Sequence, residues 1–423
     1  MQIETIILVH PFLLHYHFAR LQALSEACLQ VGVSMYSLEL ASYTDQYRSL
    51  YENPERKFNS SVLFRGQSLE NIPKRKMWLS LRKELTTLRP DVVFIYGYSL
   101  GIMRQITFWA ERNGVGVVLI SDSNEFDRTR YKPLELLKSL FVSRVDAAFV
   151  GGTNSSLYLQ KLGLPKERII TGYDVIDIQA FCRRADENRR AQSQVQERWG
   201  LPDNYFLYVG RIIKEKNLER LLDVYGRYVE LVGSEMPPWG LVICGSGPGE
   251  EGLRETVERM PRQLQERVLF YGLIRQTEIV DFLSCASCLV LPSTSESWGL
   301  VVNEAMACRV PVLVSRQAGC AADLVKEGVT GWLFDPYDID QLARLMADMH
   351  RMDSRVRTEM GAQGQRLIAG WGLQKFTQGV LESARIASSY RCRRHGHRIG
   401  SSSIRQGGAC EQENECSIDR LVQ

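Results

Sequence analysis

Short runs of β-branched and aliphatic residues, bounded by turn residues and separated by amphipathic stretches, recur through the chain in two series. This alternation limits the fold more than any other feature. The first half contains TIILVH, DVVFIYG, GVVLIS and AAFVGG; the second contains YFLYVG, WGLVICG, RVLFYG, CLVLPS and VPVLVS. Runs so continuously apolar suit strands buried on both faces, which implies parallel sheets covered by helices on either side. The fold class is therefore α/β, with two Rossmann-like, doubly wound domains, and 423 residues accommodate both. The charge-rich run RRADENRRAQSQVQER, residues 183–198, suits either a solvated helix or a linker, and the boundary between an N-terminal domain over 1–182 and a C-terminal domain over 199–370 is placed there. The polar and aromatic stretch 42–67 has no clear period and is expected to be irregular. From 391 to 423 the composition turns to Gly, Ser and charge, which predicts a disordered tail.

A formal net charge of +3 is a small excess over many charges of both signs and gives no argument for nucleic acid. No apolar run approaches the roughly 20 residues that cross a bilayer. The opening MQIETIILVHPF lacks a basic n-region and reads as a first strand, so a cytoplasmic location is expected. Peripheral contact with the inner face of a membrane stays open. The basic segment 73–89, PKRKMWLSLRKELTTLR, has Trp78, Leu81, Leu85 and Leu88 at helical spacing; it suits either an anionic membrane or packing on the first sheet. The ten cysteines are scattered, several in apolar strands, which fits reduced thiols; the Cys285–Cys288 pair reads as two buried ones.

Doubly wound sheets bind ligands beyond the carboxyl ends of their strands, so the loops there carry the candidates. After CLVLPS the chain reads ESWGLVVNEAMAC, with Glu296 in the loop, a helix opening at Gly299 and Glu304 about one turn inside it. Backbone N–H groups at that helix start, near Gly299 and Leu300, offer a phosphate seat, and the two carboxylates can accept hydrogen bonds from sugar hydroxyls. After YFLYVG, the loop GRIIKEKN places Arg211 and Lys216 where a diphosphate would need cations. Gly245, Gly247 and Gly249 suit a tight strand-to-helix turn but not a full G-x-G-x-x-G, so they are expected to shape the site's floor. In the first half, His10, His15 and His17 follow the first strand and Asp122, Asn124 and Glu125 follow GVVLIS; the resemblance given below implies acceptor contact for these six. Asp338 and Asp340 form the one D-x-D, read as an N-cap and a first-turn charge.

Taken in order, YVGR with its following lysine, ICGSGPG, FYGLI, LPSTSESWGLVVNEAMAC and AGCAADLV with TGWLFDP resemble the retaining, nucleotide-sugar-dependent glycosyltransferases of family GT4 over roughly 205–336. The resemblance implies the GT-B fold, two domains facing across a cleft, and a C-terminal helix over 371–390 that crosses back to the N-terminal domain. It implies catalytic roles for Arg211 and Lys216 on the donor diphosphate and for Glu296 on the donor sugar. Glu304 would hold the ribose, the backbone around Ile274 the base, and Gly210, Ser297, Trp298, Gly299 and Leu300 the rest of the donor. The implied partners are a nucleotide-diphosphate sugar and a glycan or lipid-linked acceptor in surface polysaccharide synthesis, with no metal and no other cofactor. Positive charge beside the departing diphosphate would lower the barrier where negative charge develops. Two departures stand out: Arg309 replaces the usual glycine after Ala-Cys, and Cys320 replaces the second glycine of AGG. The alternatives are a non-catalytic nucleotide-sugar-binding accessory protein and a GT-B epimerase.

Overall fold

The computed structural model describes residues 3–50, 55–127, 130–233 and 236–400. They form two compact units: Met1–Asp122, Arg130–Asp174 and Leu373–Gln423 in the first, and Ser123–Thr129 with Val175–Gly372 in the second.

Among the described residues the first unit has seven strands: β1 (Thr5–His10), β2 (Ser34–Tyr43), β3 (Ser60–Ser68), β4 (Val92–Tyr96), β5 (Gly116–Ser121), β6 (Ala147–Val150) and β7 (Ile169–Thr171). All pair in parallel, in the order β3-β2-β1-β4-β5-β6-β7. The order reverses between β1 and β4, which opens a crevice at the carboxyl ends of those two strands. Ile7, Val9, Val93, Ile95, Val117 and Leu119 are buried there, as the apolar runs require. The stretch expected to be irregular contains edge strand β3. It escapes the apolar pattern because an edge strand can face water, and only Phe64 and Ser68 of it are buried. The basic helix Lys74–Leu88 buries Met77, Leu81 and Leu85 in this core, so its apolar stripe is used for packing on the protein.

The helix Leu373–Gly400 packs on the same sheet. Gly116 brings β5 against it: a Cβ there would lie 3.1 Å from the Ala387 carbonyl carbon. Near its end the buried Arg391 guanidinium grips the fully buried Asp146, with Nε at 2.9 Å and Nη2 at 2.6 Å from Oδ2. Composition predicts disorder from 391, yet helix continues to Gly400; charge content misleads here because this arginine is bonded inside the fold. The remainder of the tail, 401–423, lies outside the described residues.

The second unit has six strands among the described residues: β8 (Tyr205–Val209), β9 (Gly240–Cys244), β10 (Val268–Gly272), β11 (Cys288–Leu291), β12 (Val312–Ser315) and β13 (Gly331–Phe334). They too are parallel, in the order β10-β9-β8-β11-β12-β13, with the reversal between β8 and β11. Of the two readings of 183–198 the helical one holds, within Ile178–Arg190 and Gln192–Trp199; these helices belong to this unit, and the change of unit falls at Asp174/Val175. A buried carboxylate gathers these helices: Asp281 accepts from Asn188 Nδ2 (2.9 Å) and Trp199 Nε1 (3.0 Å) and pairs with Arg184 (3.4 Å). Among the described residues no helix is long and apolar enough to cross a membrane.

Candidate functional site

In the second unit the loops after β8 and β11 meet at the reversal of strand order. Lys216 Nζ forms an ion pair with Glu296 Oε2, and Ser293 Oγ donates to the same oxygen at 3.3 Å. Lys216 closes a short 3-10 turn, Lys214–Lys216, and the next residue ties the two loops together. Asn217 adopts the left-handed conformation (φ 61°), which asparagine tolerates. From there its Nδ2 donates to Pro292 O at 3.1 Å and Pro336 O at 2.9 Å. Sequence reasoning passes over Asn217; its signal is an asparagine directly after the candidate lysine, before a helix.

Close backbone approaches hold this floor. Tyr208 Oη donates to Arg211 O at 2.8 Å and lies where a Cβ on Gly210 would come within 2.8 Å. Burial first, and then the nearby Glu296 carboxylate, push the Tyr208 phenol well above its usual pKa, so it remains a donor. Arg211 itself is half-buried in this loop. A Cβ on Gly245 would lie 1.8 Å from Gly210 O, and one on Gly247 2.4 Å from Ile212 O. The GSGPG turn thus supports the cationic loop from below. Ile274, half-buried, follows Gly272 at the end of β10, and Gly272 O accepts from Gly245 N–H at 2.6 Å.

Glu296 is held by its own backbone. Gly319 N–H donates to Glu296 O and Cys320 N–H to Trp298 O, both at 3.0 Å, and a Cβ on Gly319 would sit 1.8 Å from Ser297 O. This accounts for a glycine at 319, while Cys320 is accommodated as a buried thiol. Asn124 joins the same loop: its Nδ2 donates to Glu296 O and Ser297 O, each at 3.2 Å, and Asp127 O accepts from Ser295 Oγ at 2.9 Å. Asn124 is 0% exposed, so its side chain supports the Glu296 loop rather than facing an acceptor. Glu125 and Asp122 are exposed, the latter in the first unit.

Beyond the loop, Gly299 takes φ 102° and opens the helix Leu300–Ala307, which no side chain caps among the described residues. Its first N–H groups therefore form an anion seat in the physical sense. The Trp298 indole, by contrast, is buried, donating to Asn303 Oδ1 at 2.9 Å and lying against Trp371 at 5.1 Å, so at that residue only the backbone is offered to a ligand. Glu304, one turn inside, is 2% exposed. Arg309, in place of the family's glycine, takes the left-handed conformation that glycine would adopt without strain (φ 55°) and pairs with Asp186 at 3.3 Å. The D-x-D is accounted for locally: Asp338 caps a helix by accepting from Gln341 N–H at 2.8 Å, and Asp340 pairs with Arg227 at 3.0 Å.

In the first unit the three histidines gather at the reversal between β1 and β4. His10 is 2% exposed, 5.5 Å from the His17 ring and 4.9 Å from the Tyr96 ring. His17 Nδ1 lies 2.9 Å from Leu14 N and 3.2 Å from Leu14 O, and its Nε2 lies 3.0 Å from Tyr96 Oη. Burial, and secondarily the charge of Arg20, push His10 down to about 3 and His15 to about 4; burial, His10 and Arg20 push His17 well below its usual value. All three are neutral imidazoles at pH 7, able to exchange hydrogen bonds with hydroxyls but carrying no charge for an anion.

Residues 189–367 match the family described as Glycosyl transferases group 1. The matched stretch lies within the second unit. Over 241 residues the chain is 31% identical to a D-inositol 3-phosphate glycosyltransferase of Thermobifida fusca, covering 55% of this chain and 52% of that one. It is 27% identical over 208 residues to an N-acetyl-alpha-D-glucosaminyl L-malate synthase of Bacillus anthracis, covering 47% and 50%. The chain thus spans about half the length of these curated relatives. Among solved structures, HepE of Anabaena in complex with UDP aligns over 94% of this chain and 100% of its own, with a TM-score of 0.62 and 16% identity. That likeness concerns the fold, which is GT-B, and it extends beyond the group 1 region to the first unit.

Proposed function

We propose that the protein is a retaining, metal-independent glycosyltransferase that moves a sugar from a nucleoside-diphosphate sugar to a hydroxyl of a glycan or lipid-linked acceptor, in the cytoplasm and in the service of surface polysaccharide synthesis. The observation that carries the reading is the Lys216–Glu296 pair, which joins two switch-point loops beside an uncapped helix start. An anionic diphosphate belongs where Arg211, Lys216 and the N–H groups after Gly299 offer positive charge, and sugar hydroxyls belong on the Glu296 carboxylate. In the reaction the bond from the anomeric carbon to the diphosphate oxygen breaks and its electron pair leaves with the phosphate. The acceptor oxygen attacks from the same face, and its proton passes to a departing phosphate oxygen. Cations on the diphosphate then stabilise charge that is larger in the transition state than in the ground state. UDP held by HepE, and the nucleotide-sugar chemistry of the group 1 family, support this choice of donor class.

The test is release of nucleoside diphosphate from UDP-, GDP- and ADP-sugars, with and without chelator, by the wild type and by Lys216→Ala and Glu296→Ala. The expected result is chelator-resistant release from one donor, reduced at least about 100-fold in both variants. Release abolished by chelator would overturn metal independence. Donor binding without release, in the presence of crude glycan and lipid acceptors, would overturn the transferase reading itself.

A further inference from the structure

The helix Lys132–Val142 of the first unit presents the opposite faces from those of an ordinary surface helix. Leu134, Leu136, Leu137 and Leu140 are 57–65% exposed, and Tyr131 just before them is 69% exposed. Two of its charged residues, Glu135 and Lys138, turn toward the protein. Lys138 Nζ donates to Glu135 Oε1 at 2.6 Å and to Tyr158 Oη at 3.0 Å, while Tyr158 Oη donates to Glu135 Oε2 at 2.8 Å. Ser139 Oγ donates to Leu162 O at 2.7 Å, and the Arg130 guanidinium covers the Tyr158 ring at 4.2 Å. A helix between a core and water carries its apolar stripe inward. Here the inward bonds fix the rotation: bringing the leucines to the core would break the Glu135–Lys138–Tyr158 triangle. The apolar face is held outward.

Neighbouring elements add to it. Leu157, 52% exposed, lies on the helix that supplies Tyr158, and Phe108, 43% exposed, has the Arg144 guanidinium 5.1 Å over its ring. An apolar patch of several hundred Å² on a soluble domain marks an interaction surface. Its surroundings indicate the occupant. Residues 128–144 contain five Arg or Lys and one acidic residue, Glu135; Lys138 and Arg130 are engaged with Glu135, Arg144 pairs with Glu111 at 2.9 Å while 45% exposed, and Lys132 is exposed at the helix start. Leucines flanked by cations, with a tyrosine at their edge, match a bilayer whose anionic headgroups surround its apolar interior. A second copy of the chain would instead bring two cationic margins together. The helix also lies in the crossover from β5 to β6, so it begins at the carboxyl ends of the strands, the edge at which doubly wound sheets take ligands.

We propose that the Lys132–Val142 helix seats this protein on an anionic membrane surface, its four leucines entering the acyl boundary and Lys132 and Arg144, at its two ends, meeting lipid phosphates. The seat is a binding surface and stands whether or not the transferase reading holds. It is tested by flotation of the full chain with vesicles of phosphatidylcholine alone or mixed with phosphatidylglycerol. The expected result is flotation with the anionic vesicles, weakened by salt, and a partition at least about tenfold lower for the variant carrying Leu136→Gln, Leu137→Gln and Leu140→Gln. Because these side chains are exposed, the variant should melt with the wild type. In addition, a separate Leu137→Trp variant should shift its emission to the blue on adding anionic vesicles. A wild type that stays in solution, a triple variant that floats unchanged, or an unshifted emission from the Leu137→Trp protein once it has floated would each overturn the proposal. So would a wild-type dimer that the triple substitution dissolves without any lipid binding, which would assign the face to a second copy.

Discussion

The buried histidines of the first unit make its stability depend on pH in a way that can be worked out from the structure. An unfolded histidine titrates near 6.5, whereas His10 is pushed down to about 3 in the fold. Between those values the unfolded chain binds a proton that the folded chain refuses. Stability is therefore complete above about pH 6.5 and falls as pH drops toward the folded value. At pH 5, some 1.5 units below the unfolded pKa, His10 alone withdraws about 2 kcal/mol relative to neutral pH, from about 1.36 kcal/mol per unit. His15 and His17 act with the same sign, as does His350 in the second unit, whose pKa burial also lowers. Glu39 and Asp146, raised by burial, work in the opposite direction. The clean quantity is thus the difference between the wild type and His10→Phe, which cannot titrate. Urea unfolding of both at pH 7, 6 and 5 should show the wild type losing about 2 kcal/mol more than the variant over that range. Parallel losses would refute the reasoning, because they would mean that His10 titrates alike in the folded and unfolded chains.

Three further outcomes follow from the geometry. Gly319→Ala should leave the circular dichroism intact but weaken nucleoside diphosphate binding at least tenfold by calorimetry, since the added methyl would lie 1.8 Å from Ser297 O and must displace the loop that carries Glu296. Asn124→Ala should cost about 1–3 kcal/mol in urea unfolding, because it removes two hydrogen bonds to loop carbonyls, and should weaken the same ligand. Arg391→Ala should cost about 3–5 kcal/mol by leaving Asp146 buried without its cation, a loss that Asp146→Asn in the same chain should partly restore in thermal melts.

The parallel sheets are legible in the sequence because strands buried on both faces must be apolar along their whole length, as Val92–Tyr96 and Tyr205–Val209 are. β3 is not legible, since an edge strand can show water one face; the charge-rich run 183–198 reads as helix or linker, and tertiary contacts make it helix, with Arg184 and Arg198 pairing with the buried Asp281. The cations and carboxylates of the donor loops can be named from their positions after strands. The asparagines that hold those loops cannot: Asn217 and Asn124 act through carbonyls 75 and more than 170 positions away, a coupling that spacing along the chain does not encode. The same limit explains why position suggests an acceptor contact for Asn124, when its side chain is buried as a support. Residue type and local order determined the layered architecture, the strand-following loops and the chemistry available in them. Tertiary structure alone decided which side chains face a ligand, which are spent on support, and that the leucines of Lys132–Val142 point outward, because rotation about a helix axis and burial of a side chain depend on partners distant in sequence.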